Sequence, residues 1–261
     1  MPLPDAPRVI YKKNPLVEVV CQVRFSPILK IDANVPADFQ DRIRSEYPDL
    51  SQVNLSLEQP NAPALPPAEK QLLESAVNKN YAFVSEDRKW RVNLTRNYMS
   101  LSTGAYLRWE EFKDRFRSPL QALSDIYAPR NFSRIGLRYI DILYRSKLNL
   151  VDVGWGELLR PHLLGLMSSP DVKDDIDAFD SLYAVRLGDQ ASKCRLAART
   201  VISQESGEQC FMIDGDFFTA GTIAMPDVTT HMDYLHSHAS RLIQWCITPR
   251  LHEAMEPQSV L

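Results

Sequence analysis

The stretch NPLVEVVCQVRF, residues 14–25, decides the fold because it alternates between apolar and polar positions. The odd positions hold Val17, Val19, Cys21, Val23 and Phe25. The even positions include Glu18, Gln22 and Arg24. Successive side chains of a strand point to opposite faces of the sheet, so the pattern predicts one face in a core. The other face holds charged groups, which indicates a sheet surface left uncovered.

A second charged pattern follows in two strands of the C-terminal half. FMIDGDFF places Asp214 and Asp216 two residues apart, hence on one face of a strand. The preceding strand, KCRLAARTVI, places Lys193, Arg195 and Arg199 on one face. A hairpin between the two strands would set these basic residues across from the aspartates as a stabilising ladder. The alternative is that Asp214 and Asp216 form a divalent metal site.

The basic residues predict a face that binds an anion. Between Arg88 and Arg145 there are twelve Lys or Arg against five Asp or Glu, and many alternate with apolar residues along strands. The proposed ligand-binding residues are Arg24, Arg138, Arg195 and Arg199. Such a face suits a nucleic acid, a nucleotide or an acidic protein. A solvated or salt-bridged surface is the alternative interpretation.

An internal repeat predicts two related halves, residues 1–130 and 131–261, within one integrated domain. CQVRFSPIL aligns with IGLRYIDIL at an offset of 114 residues, FQDRIR with WGELLR at 116, and IYAPR with CITPR at 120. The offset grows slowly, as small loop insertions would make it. Each half is expected to follow the order β-α-β-β-β-α.

This order predicts an α+β fold with a mostly antiparallel sheet and helices on one face, like a TATA-binding protein or a helix-grip fold. Apolar periodicity predicts a helix over Trp109–Tyr127, kinked or split at Pro119, and another from about Val228. WGELLRPHLLGLM is expected to form a single helix. Residues 58–69, which contain four prolines, are expected to form a surface loop.

Composition excludes several classes of protein. The net charge of −3 and a pI near 6.0 argue against non-specific coating of nucleic acid. A secretory signal and a membrane-spanning run are both lacking from the sequence, so a cytoplasmic location is expected. The four scattered cysteines are expected to be buried free thiols.

The search for catalytic motifs gives no clear candidate. The sequence has neither a nucleophile elbow nor a phosphate-binding glycine loop, and no cofactor is expected. HMDYLHSH has residue types that suit a transition metal, but its spacing does not place them on one helix face. We therefore expect a protein without catalytic activity.

The chain resembles a sporadically distributed family of uncharacterised bacterial proteins of about this length. NPLVEVVCQVRF matches the N-terminal NPLxEV…RF signature, and IGLRYID, DGDFF and ITPRL follow in the family's order. The resemblance implies a cytoplasmic bacterial protein without an established activity. A patchy distribution is typical of mobile operons, including toxin–antitoxin and anti-phage systems.

Three functional hypotheses follow. The first is a non-catalytic regulatory or sensor protein of a defence-type operon, which binds a protein partner encoded beside it. The second is a nucleotide or nucleic-acid binder that uses the basic sheet face, and the third is a metal-dependent enzyme built on Asp214 and Asp216. Exposed edge strands also suggest a homodimer.

Overall fold

A nine-stranded antiparallel sheet organises the computed structural model, which describes residues 3–54, 79–189 and 191–259. In spatial order its strands are β3 (Asp49–Asn54), β4 (Lys79–Val84), β5 (Trp90–Leu94), β6 (Tyr98–Thr103), β2 (Leu16–Phe25), β7 (Phe132–Leu143), β10 (Gln209–Ile223), β9 (Ser192–Ile202) and β8 (Asp180–Arg186). A separate two-stranded ladder joins β1 (Val9–Tyr11) to β11 (Pro257–Ser259). The predicted α+β class and antiparallel sheet are confirmed.

Seven α-helices are present in the described residues: α1 (Leu29–Ala33), α2 (Ala37–Ile43), α3 (Trp109–Tyr127), α4 (Trp155–Leu158), α5 (Pro161–Leu164), α6 (Val228–Cys246) and α7 (Pro249–Ala254). Short 3₁₀ turns cover Ser146–Leu148, Gly165–Ser168, Lys173–Asp175 and Met225–Asp227. The helix α6 packs on β7 and β10, where Gly215 admits the Leu242 side chain closely. α2 packs against α3.

The alternation in β2 has the predicted consequence for burial from Val19 onward, but Val17, which was predicted to face the core, is exposed because the register shifts between Leu16 and Glu18. Val19, Cys21 and Val23 are fully buried, whereas Arg24 is exposed and Gln22 is half-buried. Apolar side chains that leave water contribute roughly 25 cal/mol per Å² of buried area, so the register of β2 is strongly fixed. The polar phase of the strand therefore lies on the face opposite the helices.

The helix α3 is continuous through Pro119 instead of being split there. A proline lacks the N–H that would bond the carbonyl four residues earlier, which here belongs to Arg115. The hydroxyl of Tyr47 donates to that Arg115 carbonyl at 3.0 Å. A side chain from the segment after α2 thus replaces the missing backbone donor, and the helix tolerates its proline.

The single helix predicted for WGELLRPHLLGLM is wrong, because the segment forms two short helices, α4 and α5. Arg160 precedes Pro161, and a residue before proline is driven out of the helical region. Arg160 is accordingly extended, with φ −74° and ψ 145°. Leu159 pairs instead with Ile247 in an isolated bridge.

Four elements were missing from the sequence-based prediction: the short helix α1, the edge strand β3, and the two strands β1 and β11 of the small ladder. The predicted proline-rich loop over residues 58–69 lies outside the described residues. All four cysteines are free and buried, as expected. None of the described helices combines the length and the apolar character needed to cross a membrane.

Candidate functional site

A cavity of about 550 Å³ lies on the open face of the sheet, across β2, β7, β10, β9 and β8. The side chains that line it are Val20, Gln22, Arg24, Arg134, Gly136, Arg138, Leu182, Arg195, Ala197, Arg199, Asp214 and Asp216. We call it the basic cavity. The structure brings all six sequence-predicted site residues together here, from four different strands.

Asp214 is held by Arg138 from the neighbouring strand β7. Arg138 donates to both carboxylate oxygens, from Nε at 2.8 Å and from Nη2 at 2.5 Å. The Asp214 side chain is largely buried, whereas that of Arg138 is about half exposed. The hydrogen bonds to the Asp214 carboxylate raise the pKa of Arg138 above its usual range. This bidentate pair neutralises one charge of each sign.

Asp216 is held by a second β7 arginine, Arg134. Arg134 Nη2 donates to both Asp216 oxygens at 2.8 Å, and its guanidinium lies 4.6 Å from the Phe218 ring centroid. The side chain runs along the strand over Gly136, where a Cβ atom would approach Arg134 Nη1 to 2.3 Å. Glycine at position 136 therefore makes room for this ion pair.

The predicted charge ladder between β9 and β10 is only partly present. Arg195 is the register partner of Asp216, as expected, but Ala197 is the partner of Asp214. Both aspartates form their ion pairs with β7, on the other side of β10. The arginines of β9 are consequently left without these carboxylates.

Three arginines in the basic cavity have no strong carboxylate partner. Arg24 donates from Nε to Gln22 Oε1 at 2.8 Å, and no carboxylate among the described residues pairs with it. The side chain of Arg195 makes no hydrogen bond or ion pair within the described part of the chain. Arg199 lies 3.6 Å from the exposed Asp180, beyond normal hydrogen-bond distance. Five arginines and two aspartates give the lining a formal charge of +3.

The cavity lining consists of guanidinium, carboxylate, carboxamide and aliphatic side chains and one glycine. Among the described residues that line it there is no His, Cys, Ser, Thr, Lys or Tyr, and both carboxylates are bound by guanidinium groups. A metal ion at Asp214 and Asp216 would have to displace Arg138 and Arg134. No group of three His, Cys, Asp or Glu in the described part of the chain is arranged to hold a metal.

The residues of HMDYLHSH are dispersed around α6. Asp233 accepts hydrogen bonds from Trp109 Nε1 at 2.7 Å and from Lys113 Nζ at 3.0 Å. His236 stacks on Trp109, and His238 is buried with Nδ1 2.9 Å from the Tyr234 carbonyl. The contacts of Asp233 and His236 with Trp109 and Lys113 show that this segment packs α6 against α3.

Sequence reasoning left Arg134 and Gly136 out of the predicted site. Both lie on the open face of β7, where Arg134 is four residues and Gly136 two residues before Arg138. The signal for Gly136 was a glycine inside an otherwise apolar strand, which often marks close approach of another group. Arg134 could have been recognised because it is an even number of residues from Arg138, so both side chains lie on the same face of the strand.

Comparison with known proteins adds no identification: no family model matches the chain, and no curated protein does either.

Proposed function

We propose that the protein is a non-catalytic binding protein that takes an anionic ligand, a nucleotide or a nucleic-acid segment, in the basic cavity. The observation that supports this most is Arg195. It lies directly opposite Asp216 in the ladder, yet both oxygens of Asp216 accept from Arg134. A guanidinium presented without a carboxylate is suited to bind the oxygens of a phosphate.

The spacing and volume of the site support a ligand with more than one anionic group. Arg24 lies on β2 and Arg195 on β9, with β7 and β10 between them. Neighbouring strands are about 4.8 Å apart, so the two strands that carry these arginines lie three strand spacings apart. A volume of about 550 Å³ is within the range of small-molecule sites. Tyr98, the register partner of Arg24, offers a half-buried aromatic ring beside the cavity.

The prebuilt Arg138–Asp214 and Arg134–Asp216 pairs give this site a rigid floor. Each pair joins β7 to β10, so the guanidinium groups are positioned before a ligand arrives. Preorganised donors avoid the entropy cost of ordering side chains on binding. The ligand then needs to immobilise only the arginines that lack a carboxylate.

The experiment is fluorescence anisotropy with labelled single-stranded and duplex oligonucleotides, with unlabelled nucleotides as competitors. We expect binding that weakens between about 50 and about 200 mM salt, since phosphate contacts release counterions. Arg24→Ala and Arg195→Ala should each weaken binding by about tenfold or more, the usual value of a charge-assisted hydrogen bond.

Arg117→Ala is the matched control, because Arg117 is exposed on α3 and pairs only with Asp114 three residues earlier. Its removal changes the net charge equally but does not touch the basic cavity. The proposal fails if no oligonucleotide or nucleotide binds at low salt. It also fails if Arg117→Ala weakens binding as much as Arg195→Ala does.

We also propose that residues 1–130 and 131–261 arose by duplication, in the manner of TATA-binding proteins. The strand order supports this, because β2 and β7 are adjacent at the centre and each is followed outward by strands of its own half. The offset of 114 residues that aligns Arg24 with Arg138 also aligns Gln22 with Gly136. Gln22 and Gly136 are register partners, as residues on a pseudo-twofold axis would be.

The regulatory role in a mobile or defence-type operon rests on the sequence resemblance and stays a prediction, as do the protein partner, the homodimer and the cytoplasmic location. This role would require an acidic partner protein that binds at the basic cavity. Co-purification from the native operon tests it, since a protein that elutes alone would count against the prediction.

A further inference from the structure

A second cleft lies on the covered face of the sheet and contains a carboxylate without a partner. The cleft has a volume of about 100 Å³ and lies between β1, β7 and α6. Asp141, on β7, lines it and is only 8% exposed. Among the described residues no hydrogen bond or ion pair reaches this carboxylate. The carboxylate oxygens are not fully enclosed and reach the cleft. A largely buried carboxylate without a donor is costly, so a ligand that supplies a donor would be bound favourably.

The neighbouring polar side chains are already engaged with other groups. Tyr139 Oη lies 2.9 Å from His236 Nδ1, and Tyr11 Oη lies 2.8 Å from His252 Nδ1. Arg8, at the rim of the cleft, donates to both oxygens of Glu110, at 2.8 and 2.9 Å. Neither the hydroxyls nor this guanidinium group therefore compensates the carboxylate of Asp141.

The remaining walls suit a molecule with an apolar body. Leu16, Leu242 and Ile243 line the cleft together with the aromatic rings of Tyr106 and Tyr139. The two rings meet edge to face, with centroids 5.8 Å apart. Aromatic faces attract cations when the site is shielded from water. The volume exceeds the roughly 30 Å³ that one water molecule occupies in the liquid.

The backbone next to Asp141 is irregular in a way that is common at binding sites. Asp141 is opposite Leu16, whereas Ile140 is opposite Glu18, so Val17 is an extra residue in β2. Such bulges are over-represented beside functional sites, where they redirect a side chain or end the pairing. Here the bulge adjoins the carboxylate.

We propose that this cleft is a second binding site, which takes a small organic ammonium ion whose charged end pairs with Asp141 and whose body packs against Leu16, Leu242 and Ile243. The site is independent of the basic cavity, which lies on the other face of the sheet. Burial raises the pKa of Asp141 to about 7, so the carboxylate is ionised and ready to pair near pH 8. The titratable and charged groups that line the cleft with it are Arg8, Tyr11, Tyr106, Arg108, Tyr139 and His236. Asp214 and Cys246 also lie close enough to interact with it electrostatically.

The test is isothermal titration calorimetry of the full chain near pH 8 with n-butylammonium chloride and, as a neutral analogue of the same size, n-butanol. We expect saturable binding of the ammonium ion that is at least about tenfold tighter than that of the alcohol. Asp141→Asn should lower the affinity for the ammonium ion by about tenfold or more. It should leave oligonucleotide binding in the basic cavity unchanged.

Asp114→Asn is the control variant, because Asp114 is exposed on α3, outside the cleft, and its loss removes one negative charge and one exposed ion pair with Arg117. The proposal is overturned if n-butylammonium gives no saturable heat at about 10 mM, or if the alcohol binds equally well. The comparison of these two probes uses the unmodified protein, so a failure of Asp141→Asn to fold would still leave a decisive result.

Discussion

Asp214 and Asp141 lie on adjacent strands and are equally buried, with 8% of each residue exposed. Their surroundings differ, because only Asp214 has an arginine partner. On the open face, Arg138 binds both oxygens of Asp214. On the covered face, Asp141 has neighbours whose hydroxyls are bound to histidines. Burial alone therefore does not decide whether a carboxylate is paired. What decides it is whether the neighbouring strand places a hydrogen-bond donor opposite the carboxylate.

The largest expected effect is on the pH dependence of stability, through Asp141. Its pKa is about 7 in the folded protein and 3.8 in the unfolded chain, so the folded state binds the proton more tightly. The free energy of unfolding should therefore fall as the pH rises from about 4 to about 7. At about 1.4 kcal/mol per pKa unit the loss amounts to as much as about 4 kcal/mol.

Asp141→Asn should remove this contribution, which urea unfolding measured at several pH values will show. The variant should be more stable than the unmodified protein above pH 7, because it buries no charge. An unchanged slope between about pH 4 and about pH 7 would mean that Asp141 has a partner after all.

The second expected effect concerns Asp214, where the same substitution should act in the opposite direction. Asp214→Asn leaves Arg138 without its ionic partner and should destabilise the fold by about 1–3 kcal/mol. The formal charge of the basic cavity rises by one and the Arg138 guanidinium becomes available to the ligand. We expect this gain to exceed the cost of ordering Arg138 on binding, so the affinity for an anionic ligand should increase. Chemical denaturation and oligonucleotide anisotropy measure the two effects, and weaker binding of the oligonucleotide would contradict the proposed site.

A smaller effect is expected from Gly136→Ala. The new methyl group would lie 2.3 Å from Arg134 Nη1 and displace that guanidinium from Asp216. We expect a loss of about 1 kcal/mol in the free energy of unfolding, since the flexible end of the arginine can move aside. Gly156→Ala is the control, because Gly156 is exposed in α4 and a Cβ there meets nothing within 4 Å. Equal losses would disprove the steric explanation.

The smallest expected change in stability is that of Arg195→Ala. This side chain makes no interaction among the described residues, so its removal should alter the free energy of unfolding by less than about 0.5 kcal/mol. Thermal unfolding measures this, and the anion affinity of the same sample should fall. A marked loss of stability would show that Arg195 serves the fold rather than a ligand.

Much of the fold followed from local patterns. The alternation of β2 and the apolar stripes of α3 and α6 depend on which face of each element is buried, and a single sequence records this directly. The strand β3 was missed because its partner β4 begins beyond residue 78, far from it in sequence. Pro161 indicated that the helix would end before it, but the apolar residues on either side of the proline favoured one continuous helix.

The site was predictable in its residues but not in its pairing. The sequence placed Arg195 near Asp216 because hairpin neighbours are local. It did not show that β7 lies on the other side of β10 and provides Arg134 and Arg138. Asp141 lies at a position of β7 whose side chain faces the core. A charged residue at such a position could have indicated the second cleft from the sequence.

The ladder of β1 and β11 consists of three residue pairs, Val9 with Ser259, Ile10 with Gln258 and Tyr11 with Pro257. Short two-stranded ladders open at low cost in free energy, so their amide protons exchange with solvent early. β1 also forms a wall of the cleft that contains Asp141. Opening of this ladder would remove that wall, so we expect the rate at which a ligand enters the cleft to follow the exchange rate of the β1 amides. The basic cavity lies on the central sheet and does not depend on this ladder.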